Sequence, residues 1–185
     1  NWTETTNIPT AGAKGYGAGT TSNGVAFGGE YGGSRSGNTF EWTGAGAAVG
    51  AWSTGGSLNT ARQYTGGAGI QTAALAFGGP PGPKAITESY NGTAWTEVND
   101  LNTARRFPGG TGSDNTAALA FGGGTGGPGN TNTADTELWN GSNWTEVNNL
   151  NTARRLPAGT GTSTLALAIG GYSTTAVAIT ESWNG

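Results

Sequence analysis

Residues 136–146 read TELWNGSNWTE: a short β-type run, an Asn-Gly pair, then a second run opening on tryptophan. Residues 87–97, TESYNGTAWTE, repeat the phrase. Its two halves also stand at the ends of the chain, NWTE at 1–4 and TESWNG at 180–185. The chain is therefore cut inside a turn of its own repeat. Working outward, LNTARQ (58–63), LNTARR (101–106) and LNTARR (150–155) recur, with a weaker copy, IPTAGA, at 8–13. Each is followed by a Gly-rich stretch and then by a small apolar run ending in a glycine pair: VAFGG (25–29), ALAFGG (74–79), ALAFGG (118–123) and LALAIGG (165–171). One aromatic comes next, Trp42, Tyr90, Trp139 or Trp183, and then a second, Trp52, Trp95, Trp144 or, wrapping round, Trp2. The intervals between second aromatics are 50, 43 and 49 residues, and 43 again from Trp144 round to Trp2. Four complete units result, approximately 3–52, 53–95, 96–144 and 145–185 plus 1–2, in a single domain spanning 1–185.

Each unit reads as four short antiparallel strands. The first is Gly-rich: GYGAGT (15–20), TGGAG (65–69), GGTG (109–112) and AGTG (158–161). The second is the apolar run, whose lack of alternation predicts burial on both faces. The third is TESY, TELW or TESW, and the fourth WTEV or WTET. Asn-Gly at 91–92, 140–141 and 184–185 predicts two-residue hairpin turns between third and fourth strands, and Asn23-Gly24 predicts one between the first two strands of unit one. No 3.6-residue apolar period of useful length predicts a helix. Seven Trp, five Tyr and five Phe argue for a packed core despite 37 glycines.

Four-stranded antiparallel units of this length fit a β-propeller. The glycine pair, the two spaced aromatics and the Arg ahead of the first strand resemble the kelch repeat, over the whole chain. The wording is also similar to that of kelch-type repeats in phage and other environmental proteins. The resemblance implies a propeller closed by pairing strands from both chain ends, with NWTET as the outer strand of the blade that ends in TESWNG. The small inner strands favour four blades around a narrow axis; the alternative is part of a longer tandem array.

Composition narrows the function. The chain has no Cys, Met or His, so Ser-His and Cys-His nucleophile systems and thiolate metal sites are absent. The resemblance bears on the same point: the copper radical oxidases built on kelch propellers use Cys, His and Tyr, and two of those types are missing. No P-loop or Asp-rich calcium loop appears. Glu30 and Asp135 are the only acids outside the repeat on the loop-bearing face, and nothing marks them as a catalytic pair. We expect no catalytic residues, no metal and no cofactor. Net charge −3 gives no general attraction to nucleic acid or anionic lipid, and no apolar run approaches a membrane helix. Without an initiator Met the chain reads as processed or as a segment. Asn1, Asn91, Asn140 and Asn143 begin N-x-S/T sequons, which the turn and strand requirements already explain.

The eight basic residues all fall in connections expected on one face of the disc. Arg62, Arg105 and Arg154 occupy equivalent positions, as do Glu88, Glu137 and Glu181, and so read as a structural pair in each unit. Unit one has Gly12 in place of the Arg and a glutamate, Glu41, displaced by one position. Arg35, Lys84, Arg106 and Arg155 are not fixed by this pairing, and with Tyr31 and Tyr172 they are the candidate ligand-binding residues. The expectation is a non-catalytic module on an extracellular or virion surface, such as a phage tail fibre, recognising or adhering to a glycan or protein through this loop face. The alternative is a structural subunit of an extracellular filament built by stacking or tandem propellers, with further copies of itself as partners.

Overall fold

A computed structural model describes residues 15–19, 23–31, 34–35, 37–43, 51–126 and 131–185. Among them every regular element is a β-strand. Blade 1 holds β1 (Tyr16–Gly19), β2 (Asn23–Phe27), β5 (Thr39–Thr43) and β6 (Ala51–Thr54), with a small hairpin, β3 (Glu30–Tyr31) and β4 (Ser34–Arg35), between its second and third strands. Blade 2 holds β7 (Gly66–Ile70), β8 (Ala73–Phe77), β9 (Thr87–Tyr90) and β10 (Trp95–Val98). Blade 3 holds β11 (Gly109–Asp114), β12 (Ala117–Phe121), β13 (Thr136–Trp139) and β14 (Trp144–Val147). In blade 4 the described strands are β15 (Ala158–Gly161), β16 (Ala166–Ile169) and β17 (Thr180–Trp183). Neighbours within each blade are antiparallel, and the four sheets form a four-bladed β-propeller.

β1, β7, β11 and β15 stand innermost and line one axial space of about 190 Å³, walled by glycine, alanine and threonine. Those small residues are what four blades demand. A β-carbon on Gly159 would lie 2.3 Å from the Gly110 carbonyl oxygen, and one on Gly110 would lie 2.8 Å from that of Gly67. Successive inner strands thus meet backbone to backbone.

The core lies between blades and repeats with them. The Leu75 and Phe77 face of blade 2 packs on Ala118, Ala120, Trp139 and Trp144 of blade 3. Val25 and Phe27 of blade 1 meet Ala74, Ala76, Tyr90 and Trp95 of blade 2 in the same way. Leu119 and Phe121 of blade 3 meet Ala166 and Ala168 of blade 4. One branched-or-aromatic face thus meets one alanine face. β8 and β12 are buried on both sides, as their unbroken apolar runs predict. β16 departs from that expectation: Leu167 and Ile169 are about 40% exposed (39% and 40%), because no blade of the described structure covers their face.

The turns also differ from the sequence reading. Tyr90 pairs with Trp95, so the link between β9 and β10 has four residues, Asn91 to Ala94. Asn91 Oδ1 accepts from the backbone N–H of Thr93 and of Ala94, both at 3.0 Å, and Gly92 takes φ +90°. Asn140 and Gly141 act likewise. Asn-Gly is needed here for an amide acceptor followed by a left-handed residue, not for a two-residue turn. Asn23-Gly24 is not a turn at all: both residues lie in β2, with Gly24 opposite Gly19. The proposed closing strand at 1–5, the IPTAGA copy, Lys14 and residues 44–50 lie outside the described residues.

Unit one departs from the others through a one-residue exchange. Phe40, opposite Ala26, occupies the place that Glu88 holds opposite Ala76, and is buried. Glu41 therefore faces the other way, towards blade 2, where Tyr90 Oη donates to its Oε1. Burial, with that hydrogen bond and the adjacent negative charge, pushes the Tyr90 phenol up to about 12. A folded value above the usual 10.0 favours the neutral form, so its stabilising contribution is complete below pH 10 and lost as pH rises towards 12. Tyr90→Phe is expected to flatten the fall in melting temperature between pH 10 and 12. An unchanged pH slope would refute the assignment.

Candidate functional site

The LNTAR phrase folds around a buried carboxylate. Glu88 Oε2 accepts from the Asn59 backbone N–H at 2.7 Å and from Asn59 Nδ2 at 2.9 Å, while Arg62 Nη2 donates to Oε1 at 2.6 Å. Arg62 Nη1 also donates to the carbonyls of Gly78 and Ile86, at 3.0 and 2.8 Å. The bracket thus ties the segment between blades to the glycine pair and to β9. Arg105 and Asn102 repeat it on Glu137, and Arg154 and Asn151 on Glu181. Arg62, Arg105, Arg154, Glu88 and Glu137 have no exposed side-chain surface. Burial lowers the Arg62 pKa, and Glu88 only partly offsets this. For Glu181, burial acts upward but is outweighed by the Asn151 N–H, the Arg154 guanidinium and the Thr152 N–H, leaving a lowered pKa. All six side chains are consumed by the scaffold.

The bracket delivers the next residue to one face of the disc. There the connections that enter the inner strands interlock with those leaving the glycine pairs. Arg155 and Tyr172 exchange backbone hydrogen bonds at 3.0 and 2.8 Å, Arg106 and Gly124 do so at 2.8 and 2.7 Å, and Arg105 N–H donates to the Lys84 carbonyl at 2.9 Å. Six of the eight basic residues, Arg62, Lys84, Arg105, Arg106, Arg154 and Arg155, are placed by these links or by the brackets beside them. Between blades 3 and 4 they build a compact cluster. The Arg155 guanidinium lies 4.4 Å over the Tyr172 ring and donates to Asn132 Oδ1 at 3.1 Å. Asn132 Nδ2 in turn donates to the Tyr172 and Ser173 carbonyls. Tyr172 is 36% exposed and Arg155 half-buried, so a cation, an aromatic face and an amide meet solvent together.

Arg106 stands on the adjoining connection, its guanidinium carbon 5.9 Å from the centre of the Phe107 ring. Its Nε is buried without a hydrogen-bond partner. Lys84 is half-buried one connection further round. Tyr31 and Arg35 lie on the β3–β4 hairpin of blade 1, and their side chains are outside the described structure.

A second feature of this face escaped the sequence reading. Tyr64, Phe107 and Leu156 each follow the bracket by two residues, and each has positive φ: 51°, 58° and 59°. Non-glycine residues seldom sit there, and each case costs on the order of 1–3 kcal/mol. Tyr64 packs edge-on against Phe107 at 4.9 Å, and the Leu156 N–H donates to the Phe107 carbonyl at 2.9 Å. They form an apolar arc beside the Arg106 and Arg155 cluster. Three different side chains at one aligned position, directly after NTAR and one residue, were the available signal. Asn132 was missed as well, since nothing in its loop marks it.

The face offers a cation, an aromatic ring and an amide, groups whose chemistry suits contact with planar and anionic partners. Glu30 and Asp135 stand on blades 1 and 3, and among the described residues no group of three metal-ligating side chains exists. The fold and face together define a four-bladed repeat propeller with a cationic, aromatic loop surface. In comparison with known proteins, the chain matches no family model and no curated protein.

Proposed function

We propose that the protein is a non-catalytic recognition module of the kelch type, part of an extracellular or virion surface protein, which binds an acidic glycan or protein surface through its loop face. The Arg155–Tyr172–Asn132 cluster carries the reading: its side chains meet at the surface on the loop connections of a rigid scaffold, where recognition is commonly placed. Arg106, Lys84, Tyr31 and Arg35 extend the surface around the same face. On this reading it needs no cofactor, binds no nucleic acid and enters no membrane.

A glycan array with sialylated and uronate-bearing members, run beside acidic peptides, tests it. Arg155→Ala and Tyr172→Ala are each expected to weaken a hit about tenfold, ~1.4 kcal/mol for a partly desolvated cation–aromatic contact. Blank arrays, or hits that survive both substitutions, would count against the reading. A second reading, a subunit of an extracellular filament made of further copies, is favoured by one observation: the apolar Leu165, Leu167 and Ile169 surface of blade 4.

A further inference from the structure

Three residues hold a backbone conformation that suits none of them. The bracket sets Tyr64, Phe107 and Leu156 at φ 51°, 58° and 59°, and among the described residues every other position with positive φ is a glycine. Glycine would meet the same demand without strain, and this chain has 37 of them. Large apolar side chains stand there instead, at a lasting cost to the fold. The same segments carry the buried side-chain polar atoms that lack a hydrogen-bond partner among the described residues: Gln63 Oε1, Thr65 Oγ1 and Arg106 Nε. Backbone strain and unmet polar groups thus coincide on one rim, and strain of this kind clusters at ligand clamps and active sites.

The rim lies at the mouth of the axis. Each strained residue stands two positions ahead of an inner strand, which begins at Gly66, Gly109 or Ala158. Tyr64 meets Phe107 ring to ring, and Phe107 is bonded to Leu156 through the backbone, so the three run on across blades 2, 3 and 4. Leu156 is 48% exposed, and the two rings are half-buried. One position earlier stand Gln63, Arg106 and Arg155. A polar residue thus precedes an apolar one in each of these blades, and among the described residues Arg106 makes no ion pair. We propose that this arc is a saccharide subsite, with Tyr64, Phe107 and Leu156 packing on sugar rings whose carboxylates meet Arg106 and Arg155. The ligand class follows from the alternation. A uronic acid pyranose presents a flat face of C–H bonds with a carboxylate at its edge, which suits an apolar surface bordered by guanidinium groups. An acidic peptide brings the charge without the face.

The proposal rests on the loop-face reading, and the experiment separates the two. Trigalacturonate, its neutral counterpart galactotriose and a glutamate-rich peptide are titrated by calorimetry into the full chain and its variants, and each variant is melted. Wild type is expected to bind trigalacturonate about tenfold more tightly than galactotriose, and Arg106→Gln to remove that preference. Leu156→Gly and Phe107→Gly are each expected to weaken trigalacturonate about tenfold while melting no lower than wild type, because the relieved φ offsets the lost contacts. A fall in melting temperature in both glycine variants would show that the fold itself needs these side chains, and would overturn the subsite. Where only one of them falls, the other decides. Unchanged affinity in a glycine variant that melts like wild type overturns the subsite as well. Loss of binding on Tyr172→Ala alone, or binding of the peptide alone, overturns it and leaves the loop-face reading standing. Wild type that binds none of the three probes overturns both.

Discussion

Arg105→Ala is expected to lose about 3–5 kcal/mol, the usual result of leaving one member of a buried ion pair uncompensated. That is a large share of the roughly 5–15 kcal/mol that holds a domain folded. The loss reaches past the pair. Glu137 would remain buried with the Asn102 and Thr103 donors but no cation, and the Gly122 and Asp135 carbonyls would lose the guanidinium at 3.3 and 2.7 Å. Glu137→Gln keeps the shape and the Asn102 contacts while removing the charge, so it strands Arg105 instead. The two single losses should not add in the double variant, since either one already breaks the bracket. Urea unfolding of the two singles and the double measures this. A cost below about 1 kcal/mol for Arg105→Ala, the range of an exposed pair, would refute the role assigned to the bracket.

Gly159→Ala should destabilise the ring, against the usual sign for its backbone. Gly159 is not among the positive-φ glycines, and Gly→Ala at a compatible φ generally stabilises by about 0.4–1 kcal/mol through the unfolded chain. Here the new methyl would stand 2.3 Å from the Gly110 carbonyl oxygen and 2.8 Å from the tip of the Phe121 ring. A neighbouring backbone cannot swing aside as a flexible side chain can, so β11 and β15 must separate. Overpacking of that kind costs typically 1–3 kcal/mol, occasionally more. Gly110→Ala meets Phe77 at 2.5 Å and the Gly67 oxygen at 2.8 Å, and should behave alike. Thermal melts decide: a raised melting temperature in either variant would show that the inner strands are not in backbone contact and that the axis is wider than four blades allow.

Unit one illustrates how far a repeat can be read without coordinates. Alignment showed that its glutamate was out of place, but not where Glu41 would go. A one-residue shift on a strand moves a side chain to the opposite face. Glu41 thereby leaves the bracket and meets Tyr90 of the next blade, while Phe40 fills the vacated interior. The meeting depends on blade 2 standing against blade 1, which no local pattern encodes. The Asn-Gly pairs make a similar point. Their identity announced a turn, yet its length follows from which residues pair across it, Tyr90 with Trp95 and Trp139 with Trp144.

The loop face was legible as a set of connections and not as a cluster of side chains. Arg155 and Tyr172 are 17 positions apart, and only the folding back of the glycine-pair loop sets one over the other. Tyr64, Phe107 and Leu156 were invisible because the bracket, not their own chemistry, drives them to positive φ.

By itself, the sequence determined the number of units, the order of strands within each, the Arg–Glu pairing and the absence of thiol and imidazole chemistry. All of these follow from residue identity repeated at a fixed interval. The tertiary structure alone decided which side chains meet across blades, which aligned position is strained, and that blade 4 keeps an apolar face exposed. Those depend on how four similar sheets are set around one axis, and a unit's own residues do not specify what stands beside it.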